Sequence, residues 1–429
     1  MEERVRVGIL GCGHVGGALV RLIHDHADVI EARAGVPLEV ARVAVADLTK
    51  ERDLPLPARC FTDDAAAVVG DPDVDIVVEV IGGIEPARAL IVEALMGGKP
   101  VVTANKELIA TYGRELFETA EGAGVDLLFE ASVGGGIPLI RPLRESLAGD
   151  RIRRVMGIVN GTTNYILTRM TDAGASFADA LAEAQRLGFA ETDPTADVEG
   201  FDAAAKAAII ASIAFGARVV TGDVYREGIA EVTLDDIASA RDLGYVVKLL
   251  AVAEEFDGEV AVRVHPAMVP ARHPLASVRD SFNAVFIEGD AVGELMLYGR
   301  GAGGAPTASA VLGDLVDASK NLVEGRKGAT IGTLAPKPIR AIDDVESQFY
   351  LMMEVPDRPG VLRAIAAEFE KFGVSIRSMQ QRDKGEEARL IFVTHKARES
   401  DLRATVRALR DVEQVHRVGA VLRVMGEEE

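Results

Sequence analysis

Residues 1–137 alternate short apolar stretches with stretches in which apolar residues recur at helical spacing. The apolar stretches are RVRVGIL, LEVARVAVA, VDIVVEVIGG, KPVVTAN and VDLLFEASVGGG, with helices predicted between them, the first from about Val15. Glycine and aspartate bound several of them, as is common where strands enter and leave a sheet. This alternation predicts an α/β fold, in which helices cover a mostly parallel sheet.

The pattern changes from about Pro138. Residues 138–304 combine Ala-rich helices with strands that carry polar residues, predicted at RIRRVMGIV, EVAVRVHPAMV, NAVFIEG and GELMLYGRG. These features predict a second domain, of the α+β class. A helical stretch, PTASAVLGDLVDASKNLVEG, follows it.

The last part of the chain starts a new pattern. Residues 326–348 contain prolines and lack a hydrophobic period, so they predict a linker. Residues 349–429 give the order βαββαβ, in FYLMMEVP, PGVLRAIAAEFEKFG, VSIRSMQQRD, EEARLIFVTH, ESDLRATVRALRDV and VHRVGAVLRVM. This order predicts a third, ferredoxin-like domain.

Composition narrows the class of protein. The 429 residues are 48% hydrophobic and 27% charged, a balance typical of soluble proteins with large cores. The net charge of −20 disfavours non-specific binding to nucleic acid or to an anionic membrane. Cys12 and Cys60 are too few for a disulfide framework or a zinc cluster, and apolar runs are shorter than the roughly 18 residues of a membrane span. We therefore expect a cytoplasmic protein.

A glycine-rich stretch, GILGCGHVGG, follows the first predicted strand. It places Gly11, Gly13 and Gly16 as G-x-G-x-x-G at the start of a helix. Glycines at these positions allow a tight turn and let backbone N–H groups approach a pyrophosphate. The motif predicts a dinucleotide site, although a structural turn can mimic it.

The residues after the second predicted strand leave the choice between NAD and NADP open. A ribose-binding carboxylate is expected about 20 residues after the glycines, whereas Asp47 lies farther along the chain. Lys50 and Arg52 suit the 2′-phosphate of NADP, but two basic residues in a loop are more commonly just solvated.

Two further stretches join a predicted strand to the next element. VVTANKELIA places Asn105 and Lys106 at the carboxyl edge of the sheet, where ligands bind in such folds, although a helix cap followed by a surface lysine is the simpler explanation. FEASVGGGIP places Glu130 before three glycines, whose freed carbonyls suit a hard cation. A flexible hinge between domains fits the same residues.

The stretch EGFDAAAKAAIIASIAFGA, residues 199–217, predicts a helix that is apolar on every face except at Lys206. Such helices are normally buried, and a buried ammonium requires a partner or a task. Asp202 lies one turn earlier, so an ordinary structural ion pair explains the lysine, and catalysis is the alternative. Glu191 and Asp197 belong to an acidic cluster that is typical of a solvated loop but also suits a substrate ammonium.

Together these residues resemble the homoserine dehydrogenase family. Six motifs coincide in order: GCGHVGG, TANK, EASVGGGIP, NGTTNYI, ETDPTADVEGFDAAAK and GRGAGGAPTASAV. The C-terminal segment, with PDRPGVL, resembles an ACT domain, a small amino-acid-binding module. The resemblance implies a Rossmann-type domain in 1–137 completed by a returning helix near 305–325, a catalytic and dimerisation domain in 138–304, a linker in 326–348 and a regulatory ACT domain in 349–429.

The resemblance also implies roles for individual residues. Lys206 and Asp202 match the family's catalytic lysine and its neighbouring aspartate, and Lys106 matches the lysine of its T-A-N-K motif. Ala46 stands where many relatives carry an arginine used for NADP, which keeps the cofactor open. The implied cofactor contacts are Gly11, Gly13, His14, Val15, Gly16, Ala46, Asp47, Lys50, Ile81, Gly82, Thr103, Asn105, Lys106 and Gly304. The implied substrate contacts are Gly161, Thr162, Glu191, Asp197, Asp202 and Lys206. The implied ligands of a monovalent cation, Na⁺ or K⁺, are Glu130, Val133, Gly135 and Ile137.

The implied reaction is reversible hydride transfer between L-homoserine and L-aspartate 4-semialdehyde, in the biosynthesis of threonine, methionine and isoleucine. Lys206 would give a proton to the developing alkoxide, and Lys106 is the second candidate acid. Aspartate-semialdehyde dehydrogenase is disfavoured, because it needs a cysteine nucleophile and neither Cys12 nor Cys60 is placed for one. A phosphoglycerate dehydrogenase is disfavoured because its nucleotide domain is embedded within the chain. A non-catalytic NAD(P)-binding amino-acid sensor conflicts with the intact pair of Asp202 and Lys206.

The ACT resemblance implies regulation and assembly. Such domains commonly pair with a copy from another subunit, so we expect a homodimer or homotetramer with an amino-acid site at the interface. L-threonine, the pathway end product, is the expected effector. In PDRPG, Asp357 is expected to meet its ammonium and N–H groups near Gly360 its carboxylate. A pure dimerisation module fits the same segment.

Overall fold

The computed structural model describes residues 4–328, 331, 334–384 and 387–426. Residues 329–330 and 332–333 of the predicted linker, and residues 385–386 and 427–429 of the predicted third domain, lie outside the described residues. The chain forms two compact units. The first draws on Met1–Val155, Ala205–Asp223 and Asn283–Lys337, and the second on Met156–Ala204, Val224–Phe282 and Pro338–Glu429.

The helices and strands are numbered along the chain. Up to residue 150 they are β1 Val5–Leu10, α1 His14–Asp25, α2 Ala27–Ala34, β2 Leu38–Ala44, β3 Phe61–Thr62, α3 Ala65–Gly70, β4 Ile76–Glu79, α4 Ala87–Met96, β5 Val101–Thr103, α5 Lys106–Ala123 and β6 Leu127–Leu128. Up to residue 324 they are β7 Ile152–Ile158, α6 Gly161–Ala173, α7 Phe177–Arg186, α8 Thr195–Val198, α9 Phe201–Phe215, β8 Tyr225–Arg226, α10 Leu234–Asp242, β9 Tyr245–Phe256, β10 Glu259–Pro270, β11 Phe282–Gly289, β12 Gly293–Arg300 and α11 Gly304–Val323. The remainder are β13 Glu346–Pro356, α12 Val361–Lys371, β14 Ile376–Lys384, β15 Glu387–Thr394, β16 Ala397–Arg398, α13 Glu399–Arg410 and β17 Arg417–Val424.

The first unit contains a six-stranded parallel sheet in the order β3-β2-β1-β4-β5-β6, which confirms the predicted α/β fold. Its central strands are apolar on both faces, as strands covered by helices require. Helix α11 packs on α1 and on β4 and β5, and Val311 and Leu315 join the core of this sheet. The returning helix therefore contributes to the core of the parallel sheet.

The second unit contains strands in the order β9-β10-β17-β13-β15-β14. The last four, with α12 and α13, have the predicted βαββαβ connectivity and share a core that includes Phe349, Phe369 and Phe392. Strand β17 pairs with β13 on one side and with β10 on the other, so the ACT sheet continues the sheet of β9 and β10.

Strand β9 has no counterpart among the predicted elements. Its sequence, YVVKLLAVAEEF, is rich in leucine, alanine and glutamate, which favour helices. The strand pairs with β10 from Tyr245 to Phe256, and this long antiparallel pairing overrides the local preference.

Among the described residues, none of the helices combines the length and apolar composition that crossing a membrane requires. Described parts of the predicted linker are paired: Ala335 bridges to Ala217 in the first unit, and Ile339 to Val260 in the second.

Candidate active site

The glycine loop joins β1 to α1, and its three glycines meet three different demands. Gly11 has φ +100°, a conformation that favours glycine, and a Cβ there would lie 2.9 Å from the carbonyl oxygen of Val80. A Cβ on Gly16 would lie 2.2 Å from the carbonyl oxygen of Gly11, so this glycine permits close packing of helix and strand. A Cβ on Gly13 would have no atom within 4 Å, so its backbone faces open space. This is the arrangement expected of a loop that admits a pyrophosphate.

The first turn of α1 is bordered by the start of α11. A Cβ on Gly304 would lie 2.9 Å from the carbonyl oxygen of His14, so glycine allows this close approach. The structure therefore brings two distant predicted cofactor residues, His14 and Gly304, into contact.

A buried carboxylate, Glu79, organises the carboxyl edge of β4 and β5. It is 0% exposed and accepts hydrogen bonds from the N–H groups of Ile81 and Gly82, both at 2.9 Å, and from the hydroxyl of Thr103 at 2.5 Å. Asn105 caps α5 and donates to the carbonyl oxygen of Gly83 at 2.6 Å. Four predicted cofactor residues thus share one hydrogen-bonded frame, although the sequence analysis did not select Glu79.

Lys106 is the first residue of α5, directly after this frame. Its backbone therefore lies at the carboxyl edge of the parallel sheet, where the sequence predicts it.

The loop after β2 is held by its own side chains. Asp47 accepts hydrogen bonds from the N–H group of Thr49 at 2.8 Å and from its hydroxyl at 2.6 Å, and these bonds lower the pKa of Asp47. Arg52 donates to the carbonyl oxygens of Asp47 at 2.9 Å and Lys50 at 2.8 Å. Burial raises the pKa of Cys12 in the glycine loop, and the nearby charge of Arg52 opposes that rise. Arg52 therefore lies between the loop after β2 and the glycine loop.

In the second unit, one amide joins two of the predicted substrate carboxylates. The side-chain nitrogen of Asn160 donates to Asp197 at 2.6 Å and to Asp202 at 2.9 Å. Its oxygen accepts from the N–H group of Thr163 at 2.9 Å and caps α6. Asn160 is 4% exposed, so this geometry is set away from solvent. Gly161 and Thr162 were predicted from the sequence but Asn160 was not, although it is the first residue of NGTTNYI and an asparagine typical of a helix N-cap.

The other predicted substrate residues lie around this bridge at different depths. Gly161 and Thr162 begin α6, and the hydroxyl of Thr162 donates to the carbonyl oxygen of Phe189. Glu191 is exposed, and its carbonyl oxygen accepts from Gln185 at 3.0 Å. The structure connects Asp197 and Asp202 directly through Asn160, while Glu191 stands at the surface.

Helix α9 confirms the predicted apolar helix, which begins at Phe201 and ends at Phe215. Most of its alanines and isoleucines are buried, whereas Asp202 and Lys206 are both half-buried. The two lie one turn apart on the helix. Lys206 is therefore not sealed in the apolar core, although it lies on a helix that is otherwise mostly buried.

A buried lysine, Lys248 on β9, anchors the helix that carries Asn160. It is 2% exposed, and its ammonium donates to the side-chain oxygen of Asn164 at 3.0 Å and to the carbonyl oxygen of Val278. Asn164 in turn donates to the carbonyl oxygen of Asp280 at 2.9 Å. Burial lowers the pKa of Lys248 to about 8, and the charge of Arg279 adds to this effect while Asp172 and Asp280 oppose it.

The predicted cation residues form a tight turn in the first unit. Gly135 has φ +56°, and a Cβ there would lie 2.4 Å from the carbonyl oxygen of Gly301. Glu130 is 5% exposed, and its carboxylate accepts from the N–H groups of Ile140 at 2.8 Å and Arg141 at 2.7 Å. The described residues contain no group of three His, Cys, Asp or Glu that could hold a metal ion. The Glu130 side chain is therefore held in place by backbone N–H groups of the same turn.

The glycine loop and the hydrogen-bonded sheet edge define the class of the first unit: a dinucleotide-binding domain of the Rossmann type. Three family models match successive parts of the chain. They are the homoserine dehydrogenase NAD-binding domain over residues 11–130, homoserine dehydrogenase over residues 138–316, and the ACT domain over residues 349–414.

Individual relatives give the same result. Homoserine dehydrogenase of Corynebacterium glutamicum is 51% identical over 425 residues, which cover 98% of this chain and 95% of that one. Homoserine dehydrogenase of Mycobacterium tuberculosis is 51% identical over 436 residues, covering 99% and 98%. The chain therefore belongs to the homoserine dehydrogenase family, as the six motifs implied.

Solved structures support the fold of the whole chain. A homoserine dehydrogenase from Thiobacillus denitrificans superposes with a TM-score of 0.94 at 42% identity and covers 99% of both chains. A hyperthermophilic archaeal homoserine dehydrogenase in complex with NADPH gives a TM-score of 0.63 at 30% identity, over 74% of this chain and 98% of that one.

Proposed function

We propose that this enzyme interconverts L-homoserine and L-aspartate 4-semialdehyde, with the substrate ammonium held at the carboxylates of Asp197 and Asp202. The observation that carries this proposal is the single amide of Asn160, which holds both carboxylates at 2.6 and 2.9 Å. Two carboxylates fixed side by side suit a primary ammonium, and Lys206 follows one turn after Asp202.

The nicotinamide supplies or accepts the hydride when it is bound. Lys206 gives a proton to the developing alkoxide during aldehyde reduction and takes it back in the reverse direction. Asp202 orients Lys206 on the shared face of α9, and Lys106 is the second candidate donor. Gly13 gives the pyrophosphate access to backbone N–H groups at the start of α1.

An absorbance assay at 340 nm with purified enzyme and L-homoserine tests the reaction. We expect nicotinamide reduction that depends on homoserine and is absent with L-serine at the same concentration. A non-catalytic amino-acid sensor would bind NAD(P) but leave the absorbance unchanged, so this outcome would refute the proposal.

Of the two nicotinamide cofactors, NADP and NAD, we propose NADP, because the cation of Arg52 lies beside the glycine loop. Asp47 is engaged by Thr49, and Arg52 lies beside the glycine loop with two donors on the backbone of the same loop. If Arg52 meets a 2′-phosphate, Arg52→Ala raises KM for NADP about tenfold and leaves KM for NAD within about twofold. Equal changes in both values would leave NAD as the alternative.

A monovalent cation, Na⁺ or K⁺, is held in this proposal by Glu130, Val133, Gly135 and Ile137, with main-chain carbonyl oxygens among the donors. Hard cations prefer such oxygen donors. The test compares thermal stability and turnover in KCl, NaCl and choline chloride at equal ionic strength. Identical values in all three salts would remove the cation from the proposal.

L-threonine is the proposed effector of the ACT domain, in a cytoplasmic homodimer or homotetramer. Gly360 has φ +94° and starts α12, and Asp357 accepts from Gln381 at 3.1 Å beside it. Asp357→Asn is expected to keep the basal rate and lose inhibition by millimolar threonine. Unchanged inhibition, or no heat of threonine binding to the wild type, would contradict the assignment.

A further inference from the structure

Arg423, on the last strand, is a buried guanidinium shared by two carboxylates. It is 5% exposed and donates to Glu227 at 2.8 and 3.0 Å through its two terminal nitrogens. The Nε and Nη2 groups of Arg423 also donate to Glu399, the first residue of α13, and the Nη2 bond is 2.8 Å long. Glu399 belongs to the ACT domain, whereas Glu227 directly follows β8 in the segment before that domain. The cluster therefore ties residues 225–229 to the ACT domain.

The position of Arg423 follows from the pairing of one strand edge. Strand β8 pairs with β10 at Arg263 and Val264, and β17 pairs with β10 at Ala267 and Met268. Since β9 pairs with β10 along its whole length, β8 and β17 share the opposite edge of β10. This arrangement places Glu227 near Arg423. The planar guanidinium of Arg423 can then donate to Glu227 and Glu399 at the same time.

Tyr225 closes the cluster on the side of β8. Its hydroxyl donates to Glu227, and its ring lies 5.4 Å from the guanidinium of Arg423 and 5.0 Å from that of Arg403. Burial opposes ionisation of Glu227, but the bonds from Arg423 hold the pKa of Glu227 below its ordinary value. Both carboxylates and the guanidinium are charged, so removal of Arg423 leaves the buried Glu399 without its guanidinium and Glu227 without two of its hydrogen bonds.

The other side of residues 225–229 contacts residues 197–202, which we call the substrate segment. A Cβ on Gly228 would lie 2.2 Å from the carbonyl oxygen of Val198, and the N–H group of Ile229 donates to the same oxygen at 2.8 Å. The guanidinium of Arg226 lies 3.3 Å from the ring centroid of Phe201. These contacts fall on residues 198–201, which connect Asp197 to Asp202.

We propose that Arg423 is a positioning residue of the dehydrogenase reaction, which acts through Glu227 and Gly228 on the segment between Asp197 and Asp202. The ACT domain then sets the geometry of the substrate carboxylates, and any effector that moves β17 changes it. This inference rests on the proposed function, in which those two carboxylates bind the ammonium of homoserine.

A second arginine of the ACT domain offers a matched control. Arg389 on β15 is 8% exposed and donates to Asp235 of α10 at 2.5 Å, so it too joins the ACT domain to the rest of its unit. Its partner lies outside both residues 225–229 and residues 198–201. Arg423→Met is expected to raise KM for homoserine about tenfold or more and to leave KM for the cofactor within about twofold. Arg389→Met should lower the melting temperature while leaving KM for homoserine within about twofold.

The conservative variant Arg423→Lys keeps the positive charge but loses the planar guanidinium. Its KM for homoserine should lie between those of the wild type and Arg423→Met. If Arg423→Met does not fold, Glu227→Gln and Gly228→Ala test the same path from its middle, each with an expected rise in KM for homoserine of about threefold or more. Equal KM values for the variants at Arg423 and Arg389, or wild-type KM for both Glu227→Gln and Gly228→Ala, would overturn the proposal.

Hydrogen exchange separates this proposal from the reaction itself. Backbone exchange in peptides covering residues 197–204 should be faster in Arg423→Met than in Arg389→Met, whether or not homoserine is the substrate. If the wild type does not oxidise homoserine, the proposed function fails while this comparison still decides the positioning role. Equal exchange in the two variants would refute that role.

Discussion

The glycine loop and the substrate segment, residues 197–202, are both proposed ligand sites, but they are built differently. The glycine loop needs three residues within six positions, and it works through backbone conformation and empty space. The substrate segment needs Asn160 to reach Asp197 and Asp202, which lie 37 and 42 positions away along the chain. The first site is therefore local in sequence, whereas the second depends on the fold that brings separate segments together.

Lys206 gives the largest expected effect. Lys206→Ala should lower kcat by about 10²- to 10⁴-fold, the usual contribution of a positioned proton donor, and leave the Kd of NADPH nearly unchanged. Steady-state rates and calorimetry measure the two quantities. Lys206→Met controls for packing, because it keeps the stem and removes the charge. Turnover near that of the wild type in either variant would return Lys206 to a structural ion pair.

Substitutions at Gly13 and Gly16 distinguish the space for a cofactor from the packing of the glycine loop itself. Gly13→Val should weaken cofactor binding by about 100-fold or more with little change in melting temperature, because the new side chain enters open space where the pyrophosphate approaches. Gly16→Val should lose both binding and stability, because its Cβ would meet the carbonyl oxygen of Gly11 at 2.2 Å. Tight binding by the Gly13 variant would contradict the assignment of this loop.

Asn160 tests whether the site formed by Asp197 and Asp202 depends on its bridging side chain. Asn160→Ala removes the bridge between Asp197 and Asp202 and should raise KM for homoserine about tenfold, with KM for the cofactor unchanged. Asn321→Ala is the control, because it removes an amide bond to Asp126 of 2.6 Å in the first unit. An equal KM in the two variants would show that the bridge has no part in substrate binding.

Lys248, which supports the helix after Asn160, affects the dependence of stability on pH rather than substrate binding. Its pKa of about 8 in the folded protein lies below its ordinary value of 10.5, so between these values the unfolded chain binds more protons. Folded stability should therefore rise with pH in this window, by up to about 3 kcal/mol from this group, and gain nothing from it below pH 8. Melting temperatures of the wild type and of Lys248→Met, compared from pH 7 to 10.5, measure the difference. Parallel curves would contradict the lowered pKa.

Much of the architecture was predictable because its signals are short in range. The parallel sheet, the glycine turn and the βαββαβ order follow from periodicity and from residues with special backbone preferences. Strand β9 was missed because its composition favours a helix and only the pairing with β10 makes it a strand. Asn160 and Glu79 were missed for a related reason. The role of a buried amide or carboxylate depends on hydrogen-bond partners that are distant in the sequence.

The separation of Glu227 and Arg423 along the chain also has a consequence in time. These residues are 196 positions apart, so a ribosome that adds about 5–20 residues per second needs roughly 10–40 s to pass from one to the other. During that interval Arg423 is not yet available to pair with Glu227. The contacts of residues 225–229 with the substrate segment therefore form before β17 pairs with β10. The carboxylates of Asp197 and Asp202 would then be among the last parts of a newly made chain to reach their final geometry. Until that moment the exposed edge of β10 is open to pairing with another nascent chain.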